Sequence, residues 1–265
     1  MTPQRIAGVL IVLLGIASMR ADQLLQELRG RCKISASTNM SDGLPRFQVK
    51  LERSPCPQDS GCNDTDTQEP EDAFTGISLA DLNREGARIQ AVLRAEAGTL
   101  TCTGAIHDSE LAGEFLFEPS QAFVTRMKQL GITGLDSEKL ETYTLFRIEA
   151  GWVQSLQTAG VTGIDAGNLI ALKIFKADAD YVHSLGALGY APPTAGKLIA
   201  LKVHKVDPAE VRELRTLGYQ PTLDQLIQMR IFKVTPEFIR SMQARGFKDL
   251  TISKLVQIRI FKLDE

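Results

Sequence analysis

The chain has 265 residues, 43% hydrophobic and 23% charged, and a formal net charge of −2, which is the composition of a globular protein. The charge is uneven: residues 22–119 have 9 Lys and Arg against 17 Asp and Glu, a net −8, whereas residues 120–265 have 19 against 15, a net +4. This asymmetry predicts two domains with different surfaces. A charge of +4 is too small to predict nucleic-acid binding, and none is expected.

Residues 1–21 are typical of a secretory signal peptide. Arg5 precedes an apolar segment of about twelve residues, residues 6–17, whereas a transmembrane helix needs about 20. Gly15-Ile16-Ala17 or Met19-Arg20-Ala21 would then precede the cleavage site. An uncleaved short anchor is the alternative. We therefore expect a periplasmic or extracellular protein with no stable membrane span after cleavage.

The four cysteines all precede residue 120, at Cys32, Cys56, Cys62 and Cys102. An even number of cysteines in an exported chain predicts two disulfides. The polar, turn-rich segment from Cys56 to Cys62 favours a bond between these two, which leaves Cys32 with Cys102; the two other connectivities stay open. The spacing lacks the paired C-x-x-C motifs of a zinc site, and no metal is expected.

Residues 22–119 are predicted to form a small antiparallel β domain of about five strands, a sandwich or a meander. Apolar and polar residues alternate in residues 46–53, in two segments around Ala97-Gly98-Thr99 and in residues 113–119. The acidic segment from Ser54 to Asp72 is predicted to be a long loop. It lacks the ordered D-x-D-x-D-G pattern of a calcium site, so its aspartates are interpreted as solvated. Asn63-Asp64-Thr65 matches the N-glycosylation pattern.

Residues 120–265 contain a repeat. Glycines recur 29, 29, 29 and 28 residues apart, and each follows a capping position, such as Asp207 before Gly218, by about eleven residues. Asp207-Pro208-Ala209-Glu210 predicts a helix start with a capping box. Each glycine is expected at a left-handed Schellman position. The five predicted C-cap glycines are Gly131, Gly160, Gly189, Gly218 and Gly246.

A second helix is predicted to follow each glycine, beginning at Asp136, Asp165, Thr194, Thr222 or Thr251. Helices of about ten residues are marginal alone, so stacking must stabilise them. The predicted fold class is therefore an α+β two-domain protein, in which the β domain precedes an α-solenoid-like array of five helix-turn-helix repeats.

Aligned repeats place cations in two columns. Because positions i and i+3 share a helix face, stacked repeats would form a basic ladder that holds an acidic protein partner. Interaction with the helix dipole is the structural alternative. The candidate partner-binding residues are Lys173, Lys176, Lys202, Lys205, Arg230, Lys233, Arg259 and Lys262. A further column, Phe123, Trp152, Tyr181 and Phe238, is aromatic but is broken by Glu210.

No sequence motif indicates catalysis. The chain lacks H-E-x-x-H, G-x-S-x-G, Walker-A and dinucleotide-binding patterns, so no catalytic residue and no cofactor is assigned. His204 occupies a column otherwise held by phenylalanines and is interpreted as a packing residue. The predicted function is that of an exported, non-enzymatic binding or scaffold protein. The alternatives are a periplasmic hydrolase or inhibitor with its site in the β domain, and binding of an anionic polymer or nucleic acid by the ladder.

Residues 120–265 resemble tandem helical repeats of exported bacterial proteins, which also occur in β-lactam-sensor-like membrane metallopeptidases. The resemblance rests on "TPEFI" (235–239), "RGF" (245–247) and "LVQIRIFK" (255–262). The zinc motif and the membrane helices of the metallopeptidases have no counterpart in this chain, so the resemblance does not imply protease activity. It implies a periplasmic or extracellular array for protein interaction.

Overall fold

The computed structural model describes residues 25–37, 44–53, 64–247 and 249–263. In these ranges a seven-stranded antiparallel sheet precedes ten α-helices, so the chain is an α+β protein. The strands are β1 (Leu28–Ala36), β2 (Arg46–Arg53), β3 (Thr65–Pro70), β4 (Phe74–Thr75), β5 (Arg88–Ala95), β6 (Gly98–His107) and β7 (Glu110–Pro119). The helices are α1 (Gln121–Gln129), α2 (Ser137–Leu145), α3 (Ala150–Thr158), α4 (Leu169–Ile174), α5 (Ala179–Gly186), α6 (Ala195–Val203), α7 (Pro208–Thr216), α8 (Leu223–Ile231), α9 (Pro236–Ala244) and α10 (Ile252–Ile260).

The signal peptide, the glycosylation asparagine and two of the cysteines, Cys56 and Cys62, lie outside the described residues. None of the helices in the ranges given above is long and apolar enough to cross a membrane.

The sheet has the order β3-β2-β1-β7-β6-β5-β4 and more strands than the five expected. The prediction of a loop over residues 54–72 was wrong for β3, which pairs with β2 along its whole length. The face that β3 turns towards the core carries Thr65, Thr67 and buried Glu69 instead of apolar side chains. An alternation of apolar and polar residues is therefore absent, and the sequence pattern resembles a loop.

A disulfide joins Cys32 on β1 to Cys102 on β6, across the intervening strand β7. The two Cα atoms are 6.1 Å apart, whereas strands two positions apart in a flat sheet are separated by about 9.5 Å. The sheet therefore curls sharply across β7. Gly113 lies opposite Cys32 in the register, and a Cβ atom there would come within 2.1 Å of the Thr103 carbonyl oxygen. A glycine at this position allows the close approach.

Helix α2 packs against the concave face of the curled sheet. It contacts β5, β6 and β7, and its buried Glu141 reaches β2 and β3 on the other side of the curl. The Glu141 carboxylate accepts hydrogen bonds from the Arg53 guanidinium and the Thr65 hydroxyl, each at 3.3 Å. Burial raises the pKa of Glu141 above its usual range, although the hydrogen bonds and charge of Arg53 oppose this shift.

Most helices begin at a side-chain cap. The Ser, Thr or Asp residue before the helix accepts a backbone N–H in eight cases, whereas Glu149 before α3 makes no such bond. Helix α4 begins at Leu169, later than predicted, because the Asp165 carboxylate instead holds a turn by accepting from the N–H groups of Gly167 and Asn168. The helices have six to nine residues.

The capping box predicted at Asp207 is wrong. Asp207 accepts from the Ala209 N–H, but the Glu210 carboxylate does not reach back to the start of the helix. It forms an ion pair with Arg230 of α8 at 2.8 Å. A charged partner on a neighbouring helix therefore outcompetes the local backbone donor. A complete capping box is found instead between Thr222 and Gln225 at α8.

Odd-numbered helices stack on odd-numbered helices, and even-numbered helices stack on even-numbered ones. Among the odd-numbered helices, α1 contacts α3, α3 contacts α5, and α7 contacts α9; among the even-numbered ones, α4 contacts α6, α6 contacts α8, and α8 contacts α10. One hydrophobic cluster runs from the sheet to α6, and a second spans α5 to α10. The core is therefore continuous from the sheet into the first helices.

The ion pair between Arg53 and Glu141 provides a test of how α2 is held. We expect Arg53→Met to lower the free energy of unfolding by about 3 kcal/mol, because it leaves a buried carboxylate without its cation. The double variant Arg53→Met/Glu141→Ile should unfold close to the wild type, since isoleucine occupies the equivalent position in α4, α6 and α8. Urea unfolding of both variants measures this. A double variant as unstable as Arg53→Met would contradict the assignment.

Candidate binding surface

The first basic row lies on the even-numbered helices and is partly buried. We use this name for Lys173, Lys202, Arg230 and Arg259. Three of these cations lie 4.0–5.0 Å from the centroid of an aromatic ring on the preceding odd-numbered helix: Lys173 over Trp152, Lys202 over Tyr181 and Arg259 over Phe238. The fourth, Arg230, meets Glu210 at the position where the aromatic column is broken. The row and the column therefore satisfy each other within the chain.

The arginines of this row also link successive even-numbered helices. Arg230 Nε donates to the His204 carbonyl oxygen at 3.2 Å, and Arg259 donates to the Lys233 carbonyl oxygen at 3.2 Å. The last carbonyl groups of a helix have no N–H donor within the helix, so these bonds provide the missing partners and stabilise the stack. Burial lowers the pKa of Lys173. The first row thus has internal partners, and it contributes less to a binding surface than the sequence indicates.

The second basic row ends the even-numbered helices and has unusual backbone geometry. Its members have φ between 49° and 55°, in the left-handed region. The residue after each of them donates its N–H to a carbonyl in the last helical turn, as Val234 does to Met229 at 2.8 Å. This is the Schellman arrangement. The second basic row consists of Arg147, Lys176, Lys205, Lys233 and Lys262.

The odd-numbered helices end in the same way, but with glycine. The five glycines have φ between 78° and 91°, and the residue after each donates to a carbonyl in the last turn, at 2.9–3.2 Å. These are Gly131, Gly160, Gly189, Gly218 and Gly246. A left-handed conformation costs an L-residue about 1–2 kcal/mol and glycine almost nothing. The helix dipole favours a cation near both kinds of helix end, so it does not explain why the left-handed residue itself is a cation only on the even-numbered helices.

Four lysines of the second row are exposed: Lys176, Lys205, Lys233 and Lys262. Among the described residues none of them forms an ion pair or a side-chain hydrogen bond. Two nearby carboxylates, Asp178 and Asp207, accept backbone N–H groups at 2.7 Å as helix caps. The charge of these lysines is therefore available to a ligand.

An apolar row lies beside these lysines. Its members are Ile174, Val203, Ile231 and Ile260, and 40–50% of each residue's surface is exposed. The equivalent residue of α2 is Leu145, of which only 2% is exposed, because the same helix face carries Glu141 and packs on the sheet. In the described part of the chain, the position that α2 buries is thus half exposed on the next four even-numbered helices.

On α2 the second-row cation has an acidic neighbour. Arg147 Nη2 lies 3.8 Å from Glu69 Oε2 on β3. Burial raises the pKa of Glu69 to about 7, although the hydrogen bond from Thr67 and the charges of Arg147 and Arg46 oppose this shift. The sheet therefore presents an acidic side chain to the one second-row cation that it covers.

A groove connects two of the exposed lysines. It has a volume of about 450 Å³ and contains side chains of both basic rows together with two aromatic rings. Phe175 in its wall is 39% exposed. The groove is lined by Phe175, Lys176, Tyr181, Lys202, Lys205, Val206, Asp207 and Pro208. Cations beside an exposed phenylalanine ring in one groove suit a ligand that is both anionic and apolar.

The rest of the described chain offers less for ligand chemistry. In the described ranges no three His, Cys, Asp or Glu residues come together as a metal site would require. His107 Nδ1 lies 2.8 Å from an exposed carboxylate, that of Glu85. His204 occupies a partly buried position at the end of α6.

Sequence reasoning missed the apolar row and the contact of Arg147 with Glu69. The apolar row was visible as a column with spacings of 29, 28 and 29 residues between the two basic columns. A column of isoleucine and valine is ordinarily interpreted as core, and only the structure shows that this one is half exposed. The contact with Glu69 joins residues far apart in sequence, on a strand that the pattern did not predict.

Comparisons of the chain with protein families, with curated proteins and with solved structures give no match.

The raised pKa of Glu69 predicts a pH-dependent stability. The folded-state pKa of about 7 exceeds the usual value of 4.5. The contribution of Glu69 to the free energy of unfolding is therefore complete below pH 4.5 and is lost as the pH rises through 7. Relative to Glu69→Gln, the wild type should lose on the order of 3 kcal/mol of unfolding free energy between pH 4 and pH 8. Urea unfolding of both proteins across this range measures the difference. Parallel pH profiles would show that Glu69 titrates normally.

The lysines at left-handed positions predict a reciprocal pair of substitutions. Lys233→Gly should raise the free energy of unfolding by up to about 1 kcal/mol, because it removes the strain of a side chain at positive φ. Gly218→Lys should lower it by about 1 kcal/mol, although an added Cβ there has no atom within 4 Å. Thermal and urea unfolding provide the measurement. Destabilisation by both substitutions would mean that the Lys233 side chain contributes to folding.

Proposed function

We propose that the protein is an exported binding protein whose ten helices form five helix-turn-helix repeats of a solenoid-like array, and that the outer side of this array holds a partner protein. The stacking of even-numbered on even-numbered helices supports the array. Stacked repeats place equivalent side chains in rows and so form extended binding surfaces. Export is supported by the disulfide between Cys32 and Cys102 and by the sequence of residues 1–21.

One observation carries this proposal. Four successive even-numbered helices present an exposed lysine without an ion-pair partner among the described residues, and each lysine stands at a left-handed position where glycine would be unstrained. Strained backbone in folded proteins clusters at functional sites, where the side chain has a use that outweighs the strain. Each lysine also has a half-exposed apolar residue two positions before it. Exposed rows of mixed apolar and basic character are typical of interaction surfaces.

The buried carboxyl groups at the contact between the sheet and α2 favour binding over the hydrolase alternative. Glu69 and Glu141 have raised pKa values, as catalytic acids often do. Both, however, are close to arginines at the contact between the sheet and α2, and both are nearly inaccessible to solvent. A substrate would have to displace α2 to reach them. Their environment is accounted for by the packing of the two parts of the chain.

The test compares partner capture by two charge-reversed variants. Lys205→Glu/Lys233→Glu alters the second basic row, whereas Arg212→Glu/Lys254→Glu makes the same change of charge at two other exposed positions on α7 and α10. Full-length protein is immobilised, and proteins captured from periplasmic extract are quantified by mass spectrometry. We expect the wild type and the control variant to enrich the same protein, and the second-row variant to lose it while its melting temperature stays within a few degrees.

Salt provides an independent readout. Capture by the second row should weaken as the ionic strength rises above about 0.1 M, where the Debye length is about 10 Å. Equal capture by both variants would refute the assignment of the surface. If the second-row variant loses capture only because it unfolds, the lysines stabilise the fold and do not form the binding surface.

A further inference from the structure

The contact between the sheet and α2 gives a precedent within the chain for what the open rows can hold. On α2 the equivalent face is covered: Leu145 is buried, and the cation Arg147 lies 3.8 Å from the carboxyl group of Glu69. The covering strand β3 thus presents an acidic side chain to the second-row position. The same positions on α4, α6, α8 and α10 carry the exposed lysines and the apolar row. By charge complementarity, an acidic and partly apolar polypeptide fits them.

The geometry of the stack constrains the conformation of that polypeptide. Packed helices lie about 8–10 Å apart, so successive lysines of the second row recur at about that distance. A polyproline II helix rises about 3.1 Å per residue with three residues per turn, so every third side chain points the same way at about 9 Å intervals. In a β-strand the side chains on one face recur at about 7 Å and 13 Å, and neither distance matches.

The groove between Lys176 and Lys205 suits the same conformation. Its wall includes the exposed Phe175 ring and the Tyr181 ring, which Lys202 covers on one face, beside cations of both rows. Polyproline II segments dock into aromatic-lined grooves, because their proline rings pack flat on aromatic side chains and the segment is already ordered before binding. An acidic segment with prolines would therefore bury its rings in the groove and place its carboxylates on the lysines.

We propose that the second basic row and the apolar row bind an acidic polyproline II segment of the partner, with a carboxylate at every third residue for Lys176, Lys205, Lys233 and Lys262. Prolines or small apolar residues of the segment cover Ile174, Val203, Ile231 and Ile260. This inference rests on the proposed function and names the chemistry of its partner.

The test uses fluorescent fifteen-residue peptides and the full-length protein. The probe has five Glu-Pro-Ala triplets. One control replaces every glutamate with glutamine, and another has the same composition with its glutamates in one block. We expect the probe to bind in fluorescence anisotropy, and both controls to bind at least about tenfold more weakly, because the first lacks charge and the second lacks the spacing. Equal binding of either control overturns the proposal.

Substitutions in the second basic row test whether the probe binds there. Lys205→Gln/Lys233→Gln should weaken probe binding at least about tenfold, whereas Arg212→Gln/Lys254→Gln, with the same loss of charge, should leave it within about twofold. Lys205→Gly/Lys233→Gly should lose binding as well while its melting temperature rises or stays unchanged. This third variant separates binding from folding, because glycine relieves the positive φ. Unchanged binding in both second-row variants overturns the proposal.

Two further outcomes identify other occupants. If inorganic polyphosphate binds the wild type more tightly than the probe and displaces it, the surface is one for anionic polymers. If the wild type self-associates in sedimentation and Lys205→Gln/Lys233→Gln does not, the occupant is a second copy of the chain. Either result overturns the proposal. Failure of the probe while capture from extract still depends on the second row would refute the peptide chemistry alone, whereas capture independent of that row would refute the proposed function.

Discussion

Every α-helix among the described residues is followed within three residues by one with a positive φ, and the packing of these helices on one another depends on this constraint. Glycine stops the odd-numbered helices and a cation stops the even-numbered ones. Helices of six to nine residues are unstable alone. Because each one ends abruptly, the chain changes direction there, and helices two positions apart in the chain pack on each other. The stop positions thus determine helix length, and helix length places equivalent side chains in rows.

The residues that end the two kinds of helix differ in backbone strain and in charge. If ending the helix were the only requirement, glycine would serve at all ten positions at less strain. The even-numbered helices instead carry Lys or Arg at left-handed positions, and their charge faces solvent on α4, α6, α8 and α10. The first basic row three residues earlier shows the contrasting case. Its cations lie over aromatic rings or beside Glu210, so folding alone accounts for them.

The sequence allowed the helices to be predicted but not the contacts between distant residues. The two differ in how far apart in sequence the interacting residues lie. Capping residues and helix-ending residues act within one turn, so their signal is contained in a few adjacent letters. The β3 strand was missed because its core-facing side chains are polar, and the Thr65 hydroxyl among them donates to Glu141 of α2, 76 residues further along the chain. The prediction of a capping box at Asp207 was wrong for the same reason, because Glu210 forms an ion pair with Arg230 on another helix. The candidate surface was predicted in part: its lysines were, but its apolar row and the engagement of the first row were not.

The first even-numbered helix differs from the others where the sheet covers it. Glu141 replaces the isoleucine or valine of the equivalent positions, and Thr144 replaces the Lys or Arg of the first basic row. Both are fully buried, and Glu141 forms its ion pair with the sheet. The residues at these two positions thus differ from their equivalents where the sheet covers the helix. If solvation alone governed the open face, polar residues would serve there as well as Ile174 or Ile231, with less exposed apolar surface. The proposed ligand, which would contact each of these four helices in the same way, accounts for both the half-exposed apolar side chain and the strained lysine of each one.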